Sequence, residues 1–202
     1  MQGKSVTNKF VYNSAIHNQP PDGGQLKLTR YESNGCIVIA HNVLDPLPIE
    51  FQQCDILYAE PSWRSGIARF NERAGIKVDF KEYVNSIREI IINSEVPVVL
   101  NWGVNETKQM PVPDMAYMSK LWNISDCTLS IYNTHSEWPK FQSTESLFWW
   151  LSQKFECIGD FNCGYGNSGK RFLEQGKKFV MSDYDQQCVG YIAKTLMNYE
   201  GI

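Results

Sequence analysis

The chain lacks the features that mark several common protein classes. No apolar run approaches the ~20 residues of a membrane-spanning helix. The longest runs are short, such as Cys36-Ile37-Val38-Ile39-Ala40 and Pro97-Val98-Val99-Leu100. The opening stretch MQGKSVTNKF has no signal-peptide core, so a cytoplasmic location without a membrane partner is expected. The six cysteines (36, 54, 127, 157, 163, 188) contain no CxxC pair, and the three histidines (17, 41, 135) lie far apart. Zinc-type spacing is therefore missing, no metal is expected, and the cysteines read as reduced core thiols. Positive charge is not in excess: 19 Lys and Arg stand against 22 Asp and Glu, for a net charge of −3. That excludes attachment to nucleic acid by bulk charge and leaves room for a local basic patch. Repeats and low-complexity segments are absent. With 43% hydrophobic and 20% charged residues, the collagen-like and disordered classes are excluded.

What is present is a 202-residue chain long enough for one domain. Residues 1–34 are polar, carry the turn signal Pro20-Pro21-Asp22-Gly23-Gly24, and read as an arm or a small antiparallel addition. Residues 35–202 read as the main domain. There, strands are expected at 35–43, 54–59, 97–102, 127–133, 157–162 and 178–182. Helices are expected at 79–94, 114–122 with Asp114 after Pro113 as its cap, 144–155, 168–175 and 186–199. The 79–94 helix has Asp79 and Glu82 in capping-box spacing and Phe80, Tyr83, Ile87, Ile90 and Ile91 on one face. Strands alternating with helices predict an α/β fold, a mostly parallel sheet with helices on both faces. Such sheets bind ligands beyond the carboxyl ends of their strands.

Two strand ends carry candidate chemistry. The first is Asp160-Phe161-Asn162-Cys163-Gly164-Tyr165-Gly166, which follows a strand and opens a helix. Gly164 and Gly166 permit a tight turn and close backbone approach to a ligand. Asp183 and Asp185 follow the next strand, where an acid can bind both hydroxyls of a ribose. The bland reading of the glycine pair is a turn. The segment does not match the phosphate-cradling GxxxxGK[ST] pattern, which argues against an NTPase. The second locus is Glu60-Pro61-Ser62-Trp63 after Tyr58-Ala59. Glu60 and the Pro61 carbonyl could accept the two protons of a flat exocyclic amine, with Trp63 stacked on its ring. The bland reading is a strand end with a half-buried Trp.

In this order the segments resemble the amino-group DNA methyltransferases that use S-adenosylmethionine (SAM), in the permuted subclass whose catalytic motif precedes the cofactor motif. Glu60-Pro61-Ser62-Trp63 resembles the family's Asp/Asn/Ser-Pro-Pro-aromatic motif, and 160–166 resembles its Asp-Pro-Phe-Cys-Gly-Ser-Gly. Thr144-Glu145-Ser146 is similar to its Thr-Glu-Lys, Asp183-Tyr184-Asp185 to its acid-x-Asp, and His41-Asn42 stands where Gly-Asp is usual. The resemblance implies a Rossmann-like SAM-dependent methyltransferase fold. It also implies SAM as cofactor, held by Asn42, Thr144, Asp160, Asn162, Gly164, Gly166 and Asp183. The implied reaction is methyl transfer to a base amino group at Glu60, Pro61, Ser62 and Trp63, with adenine N6 favoured by the acid in the first motif position. The target base would leave the duplex.

The sequence departs from the family at Glu60, Ser62, His41-Asn42 and Ser146, which leaves open a degenerate relative acting through protein or nucleic-acid contacts. A methyltransferase for RNA or a nucleotide is also open. DNA would meet Arg64, Arg69, Arg73 and Lys77, whose bland reading is a solvated loop. The expected state is a monomer or homodimer, and compact enzymes of this kind occur in phages and mobile elements.

Overall fold

A computed structural model describes residues 26–62, 75, 77–119 and 127–199. Eight strands form one sheet: β1 (Arg30–Ser33), β2 (Cys36–Ala40), β3 (Ile56–Ala59), β4 (Val98–Gly103), β5 (Met115–Ser119), β6 (Cys127–Tyr132), β7 (Cys157–Asp160) and β8 (Lys178–Asp183). Their spatial order is β1-β2-β8-β7-β3-β4-β6-β5. The run from β2 to β4 is parallel throughout. β1 pairs antiparallel at one edge, and β6 runs antiparallel between β4 and β5 at the other.

Among the described residues, five α-helices accompany the sheet: α1 (Phe80–Asn93), the single turn α2 (Val104–Thr107), α3 (Thr144–Lys154), α4 (Asn167–Glu174) and α5 (Gln186–Leu196). Local chemistry starts them. The Asp79 carboxylate accepts from the Lys81 and Glu82 amides at the start of α1. Ser143 and Ser146 form a reciprocal capping box on α3, and Asp185 accepts from the Gln187 amide on α5. Such caps contribute about 1 kcal/mol each.

The core lies in two layers. Leu147, Phe148 and Leu151 of α3, Phe172 of α4 and Val189, Ile192 and Ala193 of α5 cover one face of the sheet. Tyr83, Val84, Ile87 and Ile91 of α1 cover the other, beside Phe51 from a short 3-10 turn at Ile49–Gln53. Burying each large side chain stabilises by roughly 1.5–3 kcal/mol. In α1 the buried set includes Val84, while Phe80 and Ile90 stay half-buried, so the apolar stripe is rotated slightly from its expected centre.

One expectation is corrected. Residues 114–122 were expected to be helical, yet Met115–Ser119 is a strand. Asp114 does not cap a helix: its carboxylate accepts from the Thr134 amide across the hairpin. Met115 and Tyr117 turn inward against the α3 side while Ala116 is exposed, a period of two that pairing with β6 selects. β1 adds an antiparallel strand within residues 1–34, the segment read as an arm or a small antiparallel addition. Asn34 (φ 52°) and Gly35 (φ 76°) form a two-residue turn between the paired Ser33 and Cys36. Both central residues have positive φ, the geometry that Asn-Gly favours between hairpin strands.

The connections place a binding crevice. From β7 the chain passes through α4 to β8 on one side; from β3 it passes through α1 to β4 on the other. β7 and β3 are neighbours. Their carboxyl ends therefore splay two loops apart at a topological switch point, where open α/β sheets bind ligands.

Candidate active site

Four consecutive parallel strands deliver polar residues to this edge. In spatial order β2 leads to Asn42, β8 ends on Asp183, β7 ends on Asp160, and β3 leads to Glu60. Neighbouring strands are ~4.8 Å apart, so the row spans roughly 14 Å. The register gives it depth. Asp160 is level with Tyr58 on one side and Met181 on the other. Glu60 and Asp183 each lie two residues further along, about 6–7 Å at the usual strand rise. Asp160 therefore forms a floor between two walls, and it is 3% exposed.

The floor is polar and closely held. One Asp160 oxygen accepts from the Asn162 amide at 3.2 Å; the other accepts from the Ser168 hydroxyl at 2.5 Å. Burial pushes the Asp160 carboxyl up to about 7, against those two bonds and with the help of the nearby Asp183 charge. Asp183 is fixed by backbone donors, accepting from Gly164 N (3.0 Å) and Asp185 N (2.9 Å). Gly164 (φ 51°) and Gly166 (φ 78°) adopt left-handed conformations. A side chain at Gly166 would also press on Ile192 at 3.0 Å. Around Gly164 no atom lies within 4 Å of a Cβ position, so its value is the turn geometry and the free approach it leaves.

On the β3 side the Tyr58 hydroxyl donates to Glu60 Oε2 at 3.4 Å. Tyr58 is buried edge-on against Phe148, with ring centroids 4.9 Å apart. Its burial, with the charges of Glu60 and Asp160 adding to it, raises the phenol well above its ordinary range, so Tyr58 acts as a neutral donor. Asn101 of β4, a buried amide, lies beside the Tyr58 hydroxyl. Ser62 is held by its main chain: its N–H donates to the Tyr83 hydroxyl (3.2 Å), and its carbonyl accepts from Trp102 Nε1 (3.3 Å).

The fold thus brings Glu60, Pro61, Ser62, Asp160, Asn162, Gly164, Gly166, Asp183 and Asn42 to one edge. Asn42 uses its side-chain oxygen locally, accepting from Leu44 N at 3.2 Å. Thr144 is buried in the first turn of α3, and no hydrogen bond among the described residues joins it to the row. Its neighbour Glu145 pairs instead with Arg171 of α4. Trp63, Arg64, Arg69 and Arg73 lie outside the described residues; Lys77 is exposed. Tyr58, Tyr83, Asn101, Trp102 and Ser168 were not foreseen as site residues. Tyr83 reads from the sequence only as part of an apolar helix face, and nothing in local spacing reveals that its hydroxyl has a second use. A cavity of about 690 Å³ lies apart from this row, between α1 and residues 44–47.

Among the described residues no cluster of His, Cys, Asp and Glu is arranged to hold a metal ion, and no helix is long and apolar enough to cross a membrane. No family model and no curated protein matches the chain. Among solved structures, the crystal structure of M1.HpyAVI is similar at 11% identity, covering 73% of this chain and 91% of that one, with a TM-score of 0.45. The structure of an M1.HpyAVI–SAM complex is similar at 9% identity over 72% and 91%, with a TM-score of 0.44.

Proposed function

We propose that the protein is a SAM-dependent methyltransferase acting on an exocyclic amino group of a nucleic-acid base. The observation that carries this reading is the order of the row. Asn42, Asp183, the 160–166 turn and Glu60 follow one another across adjacent strand ends. That is the order in which adenine, ribose, sulfonium methyl and methyl acceptor would succeed one another. The residues present fit such a cofactor. Asp183 is a carboxylate pre-oriented by two backbone donors, as a ribose diol requires. Asn162 Oδ1 is buried beside the turn without a partner among the described residues, an acceptor for a cofactor donor. Gly164 leaves the backbone open to close approach.

When bound, SAM supplies an electrophilic methyl group on a positively charged sulfur. Asp160 at the crevice floor would favour that charge, and Asp183 would hold the ribose. Glu60, oriented by the Tyr58 hydroxyl, accepts one proton of the target amine in a hydrogen bond, and the Pro61 carbonyl accepts the other. These bonds aim the nitrogen lone pair; the rate gain comes from orientation and electrostatic placement. Trp63 stacks on the base. The acid at position 60 favours adenine N6 over cytosine N4. DNA is the proposed substrate, engaged through Arg64, Arg69, Arg73 and Lys77, and RNA or a nucleotide is the second substrate to assay.

Calorimetric titration with SAM, using D183A as control, tests the cofactor site. Transfer of labelled methyl to duplex DNA, with E60Q as control and nucleoside analysis of the product, tests the reaction. Saturable binding lost in D183A, and N6-methyladenine lost in E60Q, support the reading. A folded protein that takes up no SAM at millimolar concentration sinks it.

A further inference from the structure

We propose that Tyr83, seconded by Trp102, is a positioning residue that ties the loop carrying Glu60 to the 160–166 turn, so that the two halves of the crevice hold their relative placement. The consequence for catalysis rests on the methyltransferase reading; the coupling itself does not.

Tyr83 approaches from the α1 side of the sheet, opposite the face shared by Tyr58 and Met181. It is 2% exposed. Its hydroxyl oxygen accepts from Ser62 N at 3.2 Å and from Asn162 Nδ2 at 3.1 Å. A phenol oxygen has two acceptor positions, so both are spent on linking these segments. Ser62 and Asn162 are 100 residues apart in the chain. Trp102 completes the arrangement. Its ring meets Tyr83 edge-on at 6.1 Å, and its indole N–H donates to the Ser62 carbonyl at 3.3 Å. The donor and acceptor of the Ser62 backbone are thus both held by aromatic side chains from α1 and β4. The described ladder of β3 ends at Ala59, and the two aromatics hold the chain at Ser62 beyond it. Burial raises the Tyr83 phenol above its ordinary range, so the hydroxyl stays protonated at working pH.

The test is amide hydrogen exchange, resolved by NMR on the full chain, in wild type, Y83F, N162A and the double variant. Y83F keeps the ring and removes only the oxygen. Loss of one hydrogen bond corresponds to about a five- to tenfold faster exchange at the Ser62 amide. Amides in β4 serve as the control for global opening. N162A should also speed Ser62 exchange when Tyr83 is present and add nothing in Y83F, because the effect travels through the hydroxyl. Independent, multiplicative effects of the two substitutions overturn the proposal, as does a Ser62 rate in Y83F within twofold of wild type. If Y83F fails to fold, Ser62 exchange in N162A and W102F decides: a rate unchanged in both overturns it. In methyl transfer, Y83F should lower kcat about tenfold while KM for SAM moves less than about threefold; an effect confined to KM counts against it. If wild type takes up no SAM, the functional reading falls while the exchange experiment still judges the coupling.

Discussion

Replacing Asp160 by Asn should stabilise the protein at alkaline pH while weakening its binding of a cationic cofactor. The side chain is fully enclosed, and its oxygens accept from the Asn162 amide and the Ser168 hydroxyl. With its ionisation pushed up to about 7 from an ordinary 3.8, the folded protein holds a proton that the unfolded chain has released. The group therefore contributes stability below pH 3.8 that is lost as pH rises through 7. Integrated over that window, the loss is roughly 4 kcal/mol, with somewhat more than half of it between pH 5 and pH 8. In D160N the amide oxygen can still accept from the Asn162 amide, and the amide nitrogen can donate to Ser168 Oγ, so both contacts survive without a titrating charge. Urea unfolding of both proteins at pH 5, 6, 7 and 8 provides the assay. The stability advantage of D160N should grow by about 2–3 kcal/mol across the series. Parallel curves, or a change below about 1 kcal/mol, would refute the reasoning. The same variant should bind SAM more weakly, and wild type should release a proton on binding near pH 6, visible as a buffer-dependent heat. A site that costs stability in the free protein and regains it with ligand is a familiar compromise.

Three further outcomes follow from packing and backbone geometry, each measurable by urea or thermal unfolding. Phe148→Ala empties a 3% exposed position beneath Tyr58 and should cost about 3–5 kcal/mol; a loss under 1 kcal/mol would mean that the α3 layer closes over the gap. Gly35→Ala must hold a φ of 76° with its Cβ 3.1 Å from Lys178 Cε, and should cost about 1–2 kcal/mol; no loss would place the turn in another conformation. Gly190→Ala puts a Cβ 2.0 Å from the Leu26 carbonyl oxygen, so the chain leading to β1 must shift, with a cost of about 1–3 kcal/mol. Unchanged stability would show that Leu26 does not rest on α5.

The sequence by itself determined much of the layout. The stiff β-branched runs, the Asp79 cap and the alternation of strand and helix patterns specify the elements, because local propensity and burial agree there. It also set the chemistry of the strand ends: an acid after β3, an acid and two glycines after β7, an acid closing β8. Local patterns failed where pairing decides. The segment at 115–119 is a strand because β6 offers it a ladder, and its Asp114 binds across the hairpin instead of capping. The hairpin joining β1 to β2 is legible in Asn34-Gly35, a pair that favours positive φ at both turn positions.

Only the tertiary structure decided which residues share the crevice. Strand order cannot be read from sequence order, and it is strand order that sets Asn42, Asp183, Asp160 and Glu60 in one row. Register decided that Asp160 lies below its neighbours, and that depth is the physical reason for its raised ionisation. The second use of Tyr83 belongs to the same category. A helical period marks it as a core residue, while its hydroxyl reaches two loops that only the folded sheet brings within hydrogen-bond distance.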